Sequence, residues 1–514
     1  MNIIYDRKTL KVISLLNNTF YVSGNKILQQ MFPKNFDNLA IWQIDKNIDY
    51  NLIHLGVKIN ERGNPCSLYY RGKEIYKLSE QQEQQEKLGV GIDKTLMASD
   101  GIIIKKEFSD FLMTSPYTKK ETAINFSDGL IPYKTPISAI IKGFFKVSTG
   151  YSSICRNVLL RLHNYGIFAK PDYLPSHSDI DPRLLNYLSK YEALKFTRRS
   201  KEHVKVLICT PLPGMFNDFK GRKIIYTMME TETLSPSFAN GCNEYDEVWV
   251  PCNHNHDLFV NGGVKVPVHV IPLGVDERFY FGDNQEKINI DSQLLPLLGN
   301  GKKKFKFISL FQWYSRKCPD ILIKSFVKAF DDKDDVCLVV VSHHVPFAQI
   351  MNEVRGYAKS IRNSNFPSIL LYDKIPTDSQ LPSVYKSCDA FISTSRGEGF
   401  SLPPVEAAAC GLPVISSYHT SMKDYLRDDN SYKVNVSKTE ITPPNLTAMC
   451  GWYGGQLMNK LGDEEIEQFA IHFRSVVNNY DIALEKAKKL QNMVKNNYTW
   501  DITSSLIARR IREK

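Results

Sequence analysis

The chain has 514 residues, with Lys+Arg 65 against Asp+Glu 55 for a formal charge of +10, and with 43% hydrophobic and 23% charged residues. That length allows two or three domains, and the composition is that of a packed soluble protein, which excludes a single small module, a disordered scaffold and a fibrous repeat.

The longest apolar stretches, around 137–145 and 336–342, are of strand length and far short of the ~20 residues a membrane span needs. Asp6 and Arg7 interrupt the N-terminus, which therefore does not read as a secretory signal; a cytoplasmic location is expected. Ten cysteines occur without a Cys-x-x-Cys pair, the pattern of reduced structural thiols. Cys252, His254 and His256 alternate, and with Cys242 they have the residue types of a metal site; the adjoining Asp257-Leu258-Phe259 instead marks a strand-to-helix turn, and no metal is expected. Basic runs at 198–201, 302–304 and 509–514 are solvated surface taken singly. Together they suit an anionic partner: a nucleotide, peripheral contact with an anionic membrane, or a nucleic acid.

In chain order, residues 1–135 read as a small β-rich N-terminal accessory domain, from short alternating segments such as Lys11-Val12-Ile13-Ser14-Leu15 and Thr19-Phe20-Tyr21-Val22. The run 79–87 is polar on every side and reads as a solvated helix or linker. From Pro136 the pattern becomes apolar strand, glycine-bearing turn and amphipathic helix, repeated, which is an α/β chain with parallel sheets. A strand at 137–145 and a turn at 146–152 precede a helix at 153–165, with Ile154, Val158, Leu159 and Leu162 on one face and Gly166 as its stop. Strands at 204–209, 223–228, 247–251 and 268–272 complete a first doubly wound domain, 136–300. After Gly299-Asn300-Gly301-Lys302, strands at 306–311, 336–342, 368–372, 390–394 and 413–416 build a second, 301–497. Two Rossmann-like domains in tandem place ligands at the turns beyond the carboxyl ends of their strands.

Those turns hold the candidate chemistry. In the stretch 395–411, Ser401 is suited to cap a helix whose first turn holds Pro403 and Pro404, and the amides of Gly399, Phe400, Ser401 and Leu402 with the positive helix end suit a phosphate. Glu398 precedes the helix, and Glu406 lies inside it among Val405 and Ala407-Ala408-Ala409, where a purposeless charge is costly. Arg316-Lys317, in the turn after the strand ending at Phe311, can neutralise a diphosphate. Glu230, after a first-domain strand, is a candidate catalytic or acceptor-orienting carboxylate; the plainer reading is a first-turn helix carboxylate. The Asp-x-Asp spacings at Asp179 and Asp181 and at Asp332 and Asp334 read as surface.

These residues resemble the nucleotide-sugar glycosyltransferases of family 4, which have the GT-B fold of two facing Rossmann-like domains. The likeness rests on Glu398 and Glu406 with seven residues between them, Arg316-Lys317 within 311–317, the segment Val270-Ile271-Pro272-Leu273-Gly274-Val275-Asp276, and Gly150-Tyr151-Ser152-Ser153 with Arg156-Asn157; it covers roughly 137–510. It implies that Glu398 contacts the donor sugar, Glu406 the ribose, and Arg316 and Lys317 the diphosphate. It also implies that Gly150 and Tyr151 face the diphosphate from the first domain and that the backbone at Ile375 holds the base. Retention of configuration, a nucleotide sugar as donor substrate, no cofactor or metal, and a C-terminal helix (498–514) crossing back onto the first domain are further implications. The departures are Cys318 where the family has glycine after the Arg-Lys pair, and Phe311-Gln312 where it often has Gly-Arg. The expectation is a hexosyl- or pentosyl-transferring enzyme acting on a glycan, lipid-linked, protein or nucleic-acid hydroxyl. The alternative is a catalytically idle GT-B module that works through its N-terminal domain.

Overall fold

The computed structural model describes residues 137–145, 150–162, 165, 167–174, 203–212, 214–282, 287–301, 303–343, 345–374 and 376–513, together with five short strands between residues 13 and 77. The chain divides into two compact units, one of Met1–Val147, Cys155–Lys205 and Ile507–Lys514, the other of Ser148–Ile154 and Val206–Leu506.

In the first unit, β1 (Ile13–Leu16) and β2 (Thr19–Tyr21) pair antiparallel, and β3 (Leu55–Ile59), β4 (Pro65–Tyr70) and β5 (Lys73–Lys77) form an antiparallel three-stranded sheet. The polar run at 79–87, Asp179, Asp181 and the basic run at 198–201 lie outside the described residues. Next come β6 (Ile137–Gly143) and β7 (Ile167–Tyr173), parallel to each other and joined by α1 (Gly150–Leu162), whose residues up to Ile154 count to the second unit. Helix α1 buries the apolar face seen in the sequence: Ile154, Val158, Leu159 and Leu162 are fully inaccessible. It starts at Gly150 and not at 153, so Gly150 and Tyr151 form its first turn.

The second unit takes in the end of β8 (His203–Ile208), which begins in the first, and the parallel strands β9 (Arg222–Tyr226), β10 (Glu247–Val250) and β11 (Val268–Val270), in spatial order β11-β10-β9-β8. Strand β10 is buried throughout, Glu247 included; its carboxylate is satisfied by Arg222 at 2.6 Å and the Trp249 indole at 3.1 Å. Helix α2 (Pro236–Cys242) is capped by Ser235, which accepts from Phe238 N at 3.2 Å. Helix α3 (Asn253–Asn261) is capped by Cys252, whose sulfur accepts from Asn255 N at 3.4 Å. Cys252, His254 and His256 thus belong to a cap and a helical turn, where alternate residues do not share a face.

A larger sheet follows, of β12 (Leu295–Leu298), β13 (Phe305–Leu310), β14 (Val336–Val341), β15 (Ser368–Tyr372), β16 (Ala390–Ser393), β17 (Val414–Tyr418) and β18 (Tyr432–Asn435), ordered β12-β15-β14-β13-β16-β17-β18. Only β12 runs antiparallel, along β15, so this sheet takes in residues ahead of the break at 299–302. Every residue of β14 is buried, as its unbroken Val-Cys-Leu-Val-Val-Val requires of a strand covered on both faces. Helices α4 (Pro319–Ala329), α5 (Phe347–Lys359), α6 (Leu381–Lys386) and α7 (Leu402–Ala409) connect the strands. Strands β19 (Lys438–Ile441) and β20 (Leu457–Lys460) form an antiparallel excursion that encloses α8 (Pro444–Met449) and the 3-10 turn Gly451–Tyr453. Helices α9 (Asp463–Asn478), α10 (Tyr480–Asn497) and α11 (Trp500–Arg512) end the chain. Phe473 of α9 meets Phe307, Phe326 and Phe330 edge-on at 4.9, 5.4 and 6.1 Å, an aromatic knot between α9, β13 and α4. Among the described residues no helix is long and apolar enough to cross a membrane.

The chain returns to the β8–β11 half through a backbone ladder: Val275 N donates to Tyr498 O at 2.9 Å, and Trp500 N donates to Val275 O at 3.1 Å. The Thr503 hydroxyl adds a bond to Pro272 O at 2.7 Å. Gly274 permits this approach, since a Cβ there would lie 2.2 Å from the Thr499 carbonyl carbon. Gly274→Ala should therefore cost about 1–3 kcal/mol through overpacking. Urea unfolding with tryptophan fluorescence checks this, and an unchanged midpoint would show that the ladder yields freely.

Candidate functional site

The order of the large sheet reverses between β13 and β16. From those neighbouring strands the chain departs to opposite sides, which leaves a crevice at their carboxyl ends. Arg316 and Lys317 lie in the 3-10 turn after β13, and Glu398 lies in the loop after β16. The two loops are stitched together through the carbonyls of the first: Arg396 N donates to Arg316 O at 2.8 Å, and the Thr394 hydroxyl donates to those of Lys317 and Cys318 at 3.0 and 3.1 Å.

Within that frame Glu398 is 5% exposed and held by two cations, Lys317 Nζ at 2.5 Å and Arg316 Nη1 at 3.2 Å. Burial alone would raise its pKa, but Lys317 and then Arg316 outweigh it, and the carboxyl is held down at about 2. Arg316, itself buried, donates to Gly397 O and to the Tyr314 hydroxyl. The Glu398 amide donates to Thr420 Oγ1 at 3.1 Å. His419 lies behind it, with Nε2 2.6 Å from Ser395 O and Nδ1 3.0 Å from Thr420 Oγ1. A carbonyl only accepts, so Nε2 carries the proton, Nδ1 accepts from the Thr420 hydroxyl, and the threonine oxygen is left to receive the Glu398 amide. Burial pushes the imidazole down to about 4, which keeps it neutral for this relay.

Glu406 meets a different environment. Its carboxylate accepts from the Tyr385 hydroxyl at 2.8 Å, with Tyr280 as a second partner, and burial raises it to about 7 against those two bonds. The residue is half-buried on α7.

Gly399, Phe400, Ser401 and Leu402 lie at the start of α7, as the sequence indicates. Ser401 departs from its expected role. It occupies the N-cap position at φ 66°, ψ 79°, a left-handed conformation, and its side chain makes no capping bond. The β-region backbone of an ordinary cap is absent, so its hydroxyl does not turn back onto the helix. Gly397 and Gly399 are required sterically, since a Cβ at Gly397 would lie 1.9 Å from Glu230 O and one at Gly399 2.5 Å from Met228 Cγ. Cys318, at the family's glycine position, adopts φ 51°, the backbone that favours glycine. Its buried sulfur accepts from Arg396 Nε at 3.3 Å, and burial pushes the thiol up to about 12.

Glu230 lies in the loop between β9 and α2, ahead of the Ser235 cap and so outside any helical first turn. One carboxylate oxygen is 3.8 Å from Arg316 Nη2, and the other accepts from the Tyr453 hydroxyl at 2.9 Å. The loop is clamped by Asn255, which accepts from Met229 N at 2.7 Å and donates to Met229 O at 2.9 Å. Tyr151 lies near the same group: burial, with the Glu230 charge next, raises its hydroxyl. Gly150 begins α1 in the open, with no atom within 4 Å of an added Cβ. Ile375 lies outside the described residues. Asp334 pairs with Arg474 at 2.7 Å on the surface. Sequence reasoning missed Tyr453, Tyr385, Tyr280 and the His419-Thr420 relay. His419 and Thr420 directly follow β17, a strand next to β16, and that adjacency was the available signal; Tyr453 carried none.

Lys317→Met leaves Glu398 buried with Arg316 alone. Above pH 4.5 this should cost about 2 kcal/mol, less than for a fully orphaned charge. Glu398 titrates at about 2 in the fold against 4.5 ordinarily, so the lost stabilisation is fully present above pH 4.5 and disappears as pH falls toward 2. Urea midpoints of the two proteins should therefore converge between pH 5 and pH 2.5, and a constant gap would refute the pairing.

Residues 296–441 match the family of glycosyl transferases group 1. The chain is 27% identical over 192 residues to a probable sucrose-phosphate synthase of Thermosipho melanesiensis, covering 37% of this chain and 41% of that one. It is 25% identical over 188 residues to an alpha-monoglucosyldiacylglycerol synthase of Streptococcus pneumoniae, covering 36% and 40%. The matches span about two fifths of the length of these curated relatives. The solved sucrose-phosphate synthase of Thermosynechococcus elongatus superposes with a TM-score of 0.52 at 14% identity, covering 73% of this chain and 98% of that chain. The stretch 296–441, with its crevice between β13 and β16, is thus a glycosyl transferases group 1 domain in a chain of GT-B fold.

Proposed function

We propose that the protein is a retaining glycosyltransferase that moves a hexosyl or pentosyl group from a nucleotide sugar to a hydroxyl acceptor. The observation that carries this reading is the convergence of Arg316, Lys317 and Glu398 at the switch point, beside the N-terminus of α7, inside the group 1 domain. In this reading residues 301–497 hold the donor, 136–300 the acceptor side, and 1–135 an accessory domain.

Arg316 forks onto the diphosphate, and Lys317 and the amides of Gly399 to Leu402 supply further positive charge. Glu398 accepts from the sugar hydroxyls, Glu406 from the ribose, and Gly150 and Tyr151 border the diphosphate. The bond from the anomeric carbon to the phosphate oxygen breaks, and its electron pair leaves on the nucleoside diphosphate. The acceptor oxygen bonds to that carbon on the same face, and its proton passes to the departing phosphate oxygen, so charge and atoms balance. Glu230 orients the acceptor hydroxyl. The acceptor is a glycan, lipid-linked, protein or nucleic-acid hydroxyl, and the positive charge needed at the diphosphate comes from side chains and helix amides.

Thermal unfolding with UDP-glucose, GDP-mannose, ADP-glucose and dTDP-glucose tests the reading. A true donor at a hundredfold its Kd adds about 2.7 kcal/mol, and Glu406→Gln should weaken that shift. No shift with any of the four, from folded protein, would sink the proposal. A pH series adds a second check. Ribose hydroxyls favour ionised Glu406, which titrates at about 7, so a nucleotide sugar should bind about tenfold tighter at pH 8 than at pH 6. Its diphosphate diester does not titrate there, and Glu406→Gln should be flat.

A further inference from the structure

The excursion β19–β20 does more than link β18 to α9. It reaches the group 1 turns through Asn445, which donates to Ser315 Oγ at 2.8 Å, and through Glu440, which pairs with Arg396. Its other edge is bonded to the loop that carries Glu230. Glu232 N donates to Leu457 O at 2.7 Å, Leu457 N donates to Thr233 Oγ1 at 2.8 Å, and Asn459 donates to the Glu232 carboxylate at 2.5 Å. Trp452 packs edge-on against Phe238 at 5.1 Å. Beside Trp452, Tyr453 is buried, and its hydroxyl donates to Glu230 Oε2 at 2.9 Å.

The two oxygens of Glu230 are thereby differentiated. Oε2 is occupied by Tyr453, while Oε1 faces Arg316 Nη2 at 3.8 Å, too long for a hydrogen bond. We propose that Tyr453 is a positioning residue that fixes the rotation of the Glu230 carboxylate, so that Oε1 is the oxygen presented to an incoming acceptor hydroxyl. This rests on the glycosyltransferase reading above. A carboxylate tethered through one oxygen is set in direction before the acceptor arrives, and orientation prepared in advance is what a positioning group contributes to rate. Because the tether comes from an excursion bonded on one side to Ser315 and Arg396 and on the other to residues 232 and 233, the acceptor-orienting carboxylate is held in register with the diphosphate-binding turn. Arg316 of the 3-10 turn, Tyr453 and Cys450 of the excursion and Tyr151 of α1 lie around Glu230, and among the described residues Tyr453 alone binds Oε2.

The test uses the full chain and the nucleotide sugar, among the four above, that gives the largest thermal shift. Nucleoside diphosphate release is followed with water as acceptor, for the wild type, Tyr453→Phe, Glu230→Gln and the double variant. Tyr453→Phe should lower kcat about tenfold, leave the KM for the donor and its thermal shift within about twofold, and have no further effect in the Glu230→Gln background. An unchanged kcat, a loss confined to donor KM, or additive losses in the double variant overturns the inference while the donor shift of the wild type keeps the glycosyltransferase reading standing. If Tyr453→Phe fails to fold, Asn459→Ala, which loosens the excursion on the far side of Glu232, should show the same kcat-only loss; unchanged kcat there overturns the inference as well. A wild type that neither binds nor turns over any of the four removes the reading and this inference together.

Discussion

The buried contact between Glu398 and the pair Arg316-Lys317 is the constraint on which the rest of the molecule depends. A carboxylate and two cations taken out of water are stable only when their geometry is fixed by several independent bonds, because each uncompensated charge costs several kcal/mol. The fold supplies that fixing by topology. β13 and β16 are adjacent in the sheet although they stand about eighty residues apart in sequence, and the bonds from the Thr394 hydroxyl and the Arg396 amide to the carbonyls of 316–318 lock the two loops into one rigid piece. The neutral His419 and Thr420 then fix the Glu398 amide from a third strand, β17. Three consecutive positions in the sheet thus determine one carboxylate.

The same constraint explains the glycines. Gly397 and Gly399 lie against the Glu230 backbone and the Met228 side chain, so the loop that carries Glu398 is also the surface on which the β9–α2 loop rests. Any side chain at these positions separates the two loops and displaces Glu398 from its cations. Cys318 shows the converse case. The backbone there is the one glycine prefers, and this chain retains it with a cysteine because the buried sulfur is bonded to Arg396 and packed in the core cluster with Ile321 and Leu322.

Much of this was legible in the sequence. Parallel strands announce themselves as continuous apolar runs, and β13 to β17 came within a residue or two of their expected bounds. Arg316, Lys317, Glu398 and Glu406 stood out because charges next to strand ends and inside an alanine run need a reason. What the sequence withheld is of two kinds. Backbone conformation at single residues is invisible when the residue type permits two readings: Ser401 is a preferred capping residue, yet its left-handed φ removes the cap, and Gly150 reads as a turn although α1 already runs through it. Contacts across long stretches of chain are invisible too. Tyr453 lies more than two hundred residues from Glu230, in a segment whose local pattern says only turn, and β12 is too short and too exposed to be distinguished from a loop.

The two glutamates with seven residues between them show how far residue type underdetermines chemistry. Glu398 and Glu406 flank the start of one helix, yet their carboxyls are pushed in opposite directions, one to about 2 and the other to about 7. Both feel burial. The difference is that Glu398 meets two cations, whereas Glu406 meets only the hydroxyls of Tyr385 and Tyr280, with Asp378 adding repulsion. A carboxylate ionised at every ordinary pH is a fixed acceptor and a fixed counter-charge, suited to holding neutral hydroxyls beside a cationic cluster without ever donating. One balanced near neutrality changes its charge with a small change in pH or in the hydrogen bonds offered to its ionised form. The first kind of charge is fixed by its counter-ions, and the second is set by whatever next enters its surroundings.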